Sequence, residues 1–124
     1  MEKTLLDVIK QELKALGVAY EYRKFHQRLV YPFVVGEYSE DSYSAENGHT
    51  SGTMFLTLTY RSDEGEAQLT ALKEQIKRHF RDFRRVTEEG TLRISYSHSL
   101  FLGVDVEKMA RTELYLNTNY WEAT

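Results

Sequence analysis

Cysteine is absent from this chain of 124 residues, so neither a disulfide nor a thiolate metal site can form. Proline occurs once, at Pro32. No run of about 18 apolar residues is present, and no apolar stretch of the secretory kind follows Met1-Glu2-Lys3-Thr4. The expectation is a protein made and kept in a cytoplasmic compartment, with no membrane partner. Charge of one sign is also missing. Lys plus Arg is 16 against 19 for Asp plus Glu, a net charge of -3, which argues against a domain built to coat DNA or an anionic membrane.

What is present is globular in kind, with 41% hydrophobic and 28% charged residues. A chain of this length makes one domain, 1–124, burying roughly 65–70% of its unfolded surface. The aromatic content is tilted toward tyrosine, 9 against 6 phenylalanines. Tyrosine suits half-buried strands, the simpler reading, and it also suits surfaces that later become interfaces.

Leu5, Leu6, Ile9, Leu13 and Leu16 recur at three- and four-residue spacing and predict a helix over about 4–16, with Thr4 as N-cap and Gly17 as its left-handed terminator. Alternation predicts strands over 18–23 and 31–38, Pro32 standing at the start or on an edge. A polar stretch over about 39–52 reads as a mobile loop. The next strand, 54–60, sets Met54, Leu56, Leu58 and Tyr60 on one face and Phe55 on the other. Asp63 with Glu66 forms a capping-box pattern, and Leu69, Leu72, Ile76, Phe80 and Phe83 carry a second helix to about residue 83. Strands at 92–96 and 114–120 follow, with a helical turn expected around 106–111. The order α-β-β-β-α-β-β predicts an α+β domain: a mainly antiparallel sheet of about five strands, with helices packed on one face.

Catalytic motifs are missing. The seven glycines form no phosphate-binding loop, and no nucleophile elbow occurs. His26, His49, His79 and His98 lie too far apart for a zinc helix; His49 beside Glu46 or Asp41 makes at most a weak metal site, and a solvated loop histidine is the simpler reading. Glu40, Asp41 and Glu46 share the polar stretch, but a loop rich in Ser, Asn and Gly offers neither burial nor a fixed partner to tune them for acid–base work. No enzyme, no cofactor and no metal are expected. Lys77, Arg78, Arg81, Arg84 and Arg85 form a basic patch that suits a helix C-terminus, or alternatively a small nucleic-acid-binding regulator.

Taken together, the amphipathic first helix, the strand at 31–37, the polar excursion after it, the strand at 54–60, the helix from Leu69 to Ile76 and the closing strand at 111–120 resemble the small tail-terminator and tail-completion proteins of long-tailed bacteriophages and prophages. The match spans nearly the whole chain in order and texture, without one diagnostic motif. The resemblance implies a virion structural protein that forms a homo-oligomeric ring, typically a hexamer, at the head-proximal end of the tail tube. Such a ring, assembled in the bacterial host cytoplasm, stops tube growth and joins the tail to the head connector. Its partners would be itself, the tail tube protein and the head–tail connector protein, with DNA only as passing cargo. A head–tail connector adaptor, or neck protein, is the neighbouring alternative. The family has no catalytic residues to transfer. Physically, a ring subunit needs two different surfaces that meet head to tail. Tyr115 and Trp121 on the last strand and Phe55 are candidates for the ring or docking surface, unless a helix covers them. The carboxylates Glu40, Asp41 and Glu46 would either dock on assembly or line a channel whose acidic wall repels DNA.

Overall fold

The computed structural model describes residues 2–24, 31–62 and 66–123. Eight elements follow in chain order: α1 (Glu2–Ala15), β1 (Ala19–Tyr22), β2 (Phe33–Ser44), β3 (His49–Arg61), α2 (Glu66–His79), β4 (Phe83–Val86), β5 (Gly90–Val104) and β6 (Met109–Glu122). The strands form one sheet in the order β1-β2-β3-β6-β5-β4, curled into a half-barrel. The expectation of about five strands in a mainly antiparallel sheet, in the order α-β-β-β-α-β-β, is thereby corrected. There are six strands and the sheet is mixed, since β1 runs parallel to β2.

The sixth strand comes from the end expected for the second helix. Helix α2 stops at His79, and Phe83, Arg84, Arg85 and Val86 pair antiparallel with Ile94, Arg93, Leu92 and Thr91. A tight turn makes this possible. The Thr87 hydroxyl accepts the N–H groups of Glu89 and Gly90, both at 3.2 Å, while Thr87 N–H donates to Gly90 O at 2.8 Å. Phe83 fits a helical and a strand period equally well, and the β-branched Val86 with the turn that follows it tips the balance toward strand.

Helix α1 ends as its sequence dictates. Gly17 takes φ +76°, its N–H donates to Lys14 O at 2.9 Å, and Val18 N–H reaches back to Leu13 O at 3.0 Å, the pair of bonds that closes a Schellman motif. At the other end Thr4 lies inside the helix rather than capping it, and its hydroxyl donates to Glu89 Oε2 at 3.4 Å. The proposed cap Asp63 lies outside the described residues, as does His26.

The expected polar loop over 39–52 is instead the outer half of a hairpin. β2 and β3 remain paired out to Ser44 and His49, with a bulge between Glu40 and Ser42 and a short turn ending at Gly48, φ +62°. The expected helical turn at 106–111 is a reverse turn followed by strand. Asp105 Oδ1 accepts the N–H groups of Glu107 at 2.9 Å and Met109 at 3.0 Å, and Lys108 takes φ +63°.

Both helices pack toward one face of the sheet. Leu5, Val8, Ile9 and Leu13 of α1 and Leu69, Leu72 and Ile76 of α2 meet Val34, Met54, Leu56, Leu58, Leu92, Ile94, Leu114 and Leu116 in a single core, with Phe80 fully buried. Cutting Leu56 or Leu114 back to alanine would cost about 2–5 kcal/mol in such a site. The alternate residues of each strand face away from the helices.

Candidate functional site

Strand alternation puts Glu37, Phe55 and Tyr115 on the face opposite the helices, in one row across β2, β3 and β6. A bulge between Tyr96 and His98 shifts β5 by one residue and turns His98 onto the same row, opposite Tyr115. The rings then touch in sequence. Phe55 meets Tyr115 edge to face at 5.3 Å between centroids, and Tyr115 stacks on His98 at 4.2 Å. Ser97 Oγ lies 2.9 Å from His98 Nδ1 and fixes the imidazole's orientation. The Tyr115 phenol is pushed up, chiefly by its hydrogen bond to the Glu113 carboxylate and then by desolvation. Phe55 and Tyr115 are half-buried against each other, and among the described residues no helix crosses them.

Trp121 sits on the same face but in a different group. It stacks on His49 at 4.7 Å, and His49 Nε2 lies 2.9 Å from Asn119 Oδ1. Polar rows, Thr53 with Asn117 and Ser51 with Asn119, separate this pair from the Phe55–Tyr115–His98 row. The candidate docking residues Phe55, Tyr115 and Trp121 thus share the face opposite the helices, two of them in contact. His98 and the bulge that aims it were not visible from alternation alone, because a bulge changes parity without a sequence signature of its own.

The carboxylates are spread along the hairpin. Glu40 precedes the β2 bulge, Asp41 occupies it, Glu46 is at the tip, and all three are exposed. Asp41 Oδ2 accepts the Thr53 hydroxyl at 3.0 Å. His49, engaged with Trp121 and Asn119, does not join them, and among the described residues no three His, Asp or Glu side chains gather to hold a metal ion.

The basic patch is divided by the strand that the helix expectation overlooked. Lys77 and Arg78 end α2, Arg81 lies in the following turn, and Arg84 and Arg85 alternate on β4. Lys77 lies 5.1 Å from the Tyr96 ring centre. Arg85 turns toward the helices, where its Nη2 is 3.4 Å from Glu12 Oε1, while Arg84 turns to the uncovered face beside Arg93. Phe80 is buried and Phe83 half-buried against it at 5.5 Å, so neither ring is offered for base stacking. Five cations on one helical surface are therefore not what the fold provides.

The sheet's edge holds a feature the sequence reading passed over. Leu100, Phe101, Leu102 and Val104 on β5 are 53%, 54%, 49% and 48% exposed, and residues 95–104 contain no Asp, Glu, Lys or Arg. A long apolar strand edge without charges is the kind that pairs with another chain. That ten-residue uncharged run is the signal that would have found it. Among the described residues no helix is long and apolar enough to cross a membrane. The chain matches no protein-family profile and no curated protein.

Proposed function

We propose that this chain is a virion structural protein of a long-tailed bacteriophage or prophage. In this reading it forms a ring at the head-proximal end of the tail tube, stops tube growth and joins the tail to the head connector. The observation that carries it is the sheet face opposite the helices, where Phe55, Tyr115 and His98 form an aromatic row that neither described helix covers. Half-exposed aromatic clusters of this kind mark surfaces that a partner buries. The tail tube protein, the connector protein and further copies of the chain are the partners it would meet, and DNA passes as cargo.

A nucleic-acid regulator working through residues 77–85 is the weaker reading, since Arg85 is tied to Glu12 and Phe80 is in the core. Electron microscopy of particles from a prophage deleted for this gene tests the proposal. Overlong tubes beside tailless, DNA-filled heads are the expected result. Normal-length free tails beside unjoined heads would move the protein to the head–tail adaptor role, and wild-type particles would overturn the structural reading.

A further inference from the structure

Both edges of the sheet are stepped. β1 pairs with residues 33–36 of β2 only, so among the described residues 37–44 have β3 on one side and no strand on the other. β4 pairs with residues 91–94 of β5 only, so 95–104 have β6 alone.

The ladders fix the heights of these steps. Phe83 on β4 is level, through Ile94, Thr118 and Gly52, with Glu40 on β2. Arg84 is level, through Arg93, Asn119 and Ser51, with Ser42. At the opposite end of the strands, Tyr20 on β1 is level, through Val34, Leu58 and Thr112, with Phe101 on β5. The protruding step on each side thus stands at the height of the recess on the other. For two copies side by side without axial offset, β4 of one is therefore level with the recess beside β2 of the other, and β1 with the recess beside β5.

Charge agrees with shape. Arg84 stands directly opposite Arg93, an unfavourable like-charge pair, and only Arg93 finds an acid, Asp82 at 3.2 Å. Among the described residues Arg81 and Arg84 have no ion-pair partner. The facing recess carries Glu40 and Asp41, both exposed, and no Lys or Arg lies within 37–44. The Asp41 carboxylate is held by Thr53 on the face opposite the helices, the face Arg84 also occupies. At the second contact the uncharged edge around Leu100 and Phe101 receives a strand that brings Tyr20 to the level of Phe101.

We infer that the occupant of each recess is a second copy of this chain, joined head to tail. β4 of one copy lies parallel to residues 40–44 of the next, and β1 of the next lies antiparallel to residues 99–103 of the first. The contact is heterologous, as a ring requires. It rests on the ring reading for closure only, and the joining of copies in solution follows from the edges alone.

Charge reversal tests it. Wild-type protein at low salt should show a mass by light scattering that climbs with concentration above the 14.6 kDa of one chain. The variants E40K/D41K and R81E/R84E, all at exposed positions, should each remain single chains, because like charges then meet. Mixing the two, or combining all four substitutions in one chain, should restore the higher mass. F101E should also abolish it while leaving the circular dichroism spectrum unchanged. A single-chain mass for wild type at every concentration, a mixture no heavier than its parts, or an F101E variant that assembles like wild type would overturn the inference. Overlong tubes in the deletion with single-chain masses here would keep the terminator reading and overturn this contact; wild-type particles with charge-dependent assembly would do the reverse.

Discussion

The ring of Tyr38 lies across Gly52 on the neighbouring strand, so closely that a Cβ at position 52 would stand 2.6 Å from Tyr38 Cζ and 2.7 Å from the backbone oxygen of Ser39. Tyr20 covers Gly36 and Tyr120 covers Gly90 with the same diagonal offset between paired strands. Aromatic rings laid over strand glycines replace the side-chain packing that glycine lacks. Part of the tyrosine richness is therefore structural. Burial accordingly pushes the Tyr20 and Tyr38 phenols up, and among the described residues the buried Tyr20 hydroxyl has no hydrogen-bond partner.

Gly52→Ala should lower stability by about 1–3 kcal/mol, because the Tyr38 ring can shift but the Ser39 carbonyl cannot. A lower urea midpoint with an unchanged slope is the expected measurement. An unchanged midpoint would mean that the hairpin opens enough at the bulge to admit the methyl group.

Glu12 ties three elements together. Its Oε1 lies 3.4 Å from both Arg85 Nη2 and His79 Nε2, joining α1 to β4 and to the end of α2. The Glu12 and Arg85 side chains are 18% and 37% exposed, so solvent screens the pair and its worth is about 1 kcal/mol or less. Glu12→Ala should cost that amount in low salt and less at high ionic strength. Denaturation in parallel at both salt concentrations checks the difference, which should have this sign.

Asp105 closes the turn between β5 and β6. The hydrogen bond from Arg111, followed by the backbone N–H of Met109, holds its carboxyl below the usual carboxylate range. With the folded value below the unfolded one, this contribution is complete above the ordinary carboxylate range and is lost as pH falls through the folded value. Asp105→Asn should therefore be less stable than wild type at neutral pH, and the gap should narrow on acidification. Urea midpoints near neutrality and near pH ~3 measure it; a gap that widens in acid would contradict the assignment.

Most of the core and of both helices was legible in the sequence because period and burial coincide there. Leu5, Ile9, Leu13, Leu69, Leu72 and Ile76 obey the helical repeat, and Met54, Leu56 and Leu58 alternate. The misreadings have specific physical causes. Phe83 satisfies two periods, so the helix stripe ran on into β4 and hid the sixth strand. Ser, Asp and Glu in 39–44 look like a loop because the outer half of β2 is exposed, while its ladder is held by backbone bonds that composition does not report. The parallel pairing of β1 cannot be read from alternation, which is the same for either direction. Of the candidate docking residues, Phe55, Tyr115 and Trp121 were legible as outward-facing. Their company, His98 and the stepped edges, depends on a bulge and on strand lengths that only the register reveals.

The uncovered face allows a test that separates assembly from stability. Phe55 and Tyr115 contact each other across the strands, an interaction worth roughly 0.2–1 kcal/mol, and neither touches the helix-side core. Tyr115→Arg should therefore leave the fold intact, with a melting midpoint within about 8 °C of wild type. On the proposed role it should fail to complement the gene deletion and give the same aberrant particles, because a cation would be forced against whichever tail protein covers the row. The sole tryptophan supplies a second readout on the same face, since Trp121 is half-exposed and its emission should move to shorter wavelength when a partner excludes water there. Full complementation by a folded Tyr115→Arg variant would show that this face looks onto solvent in the assembled particle, and would leave the strand edges as the contact surface.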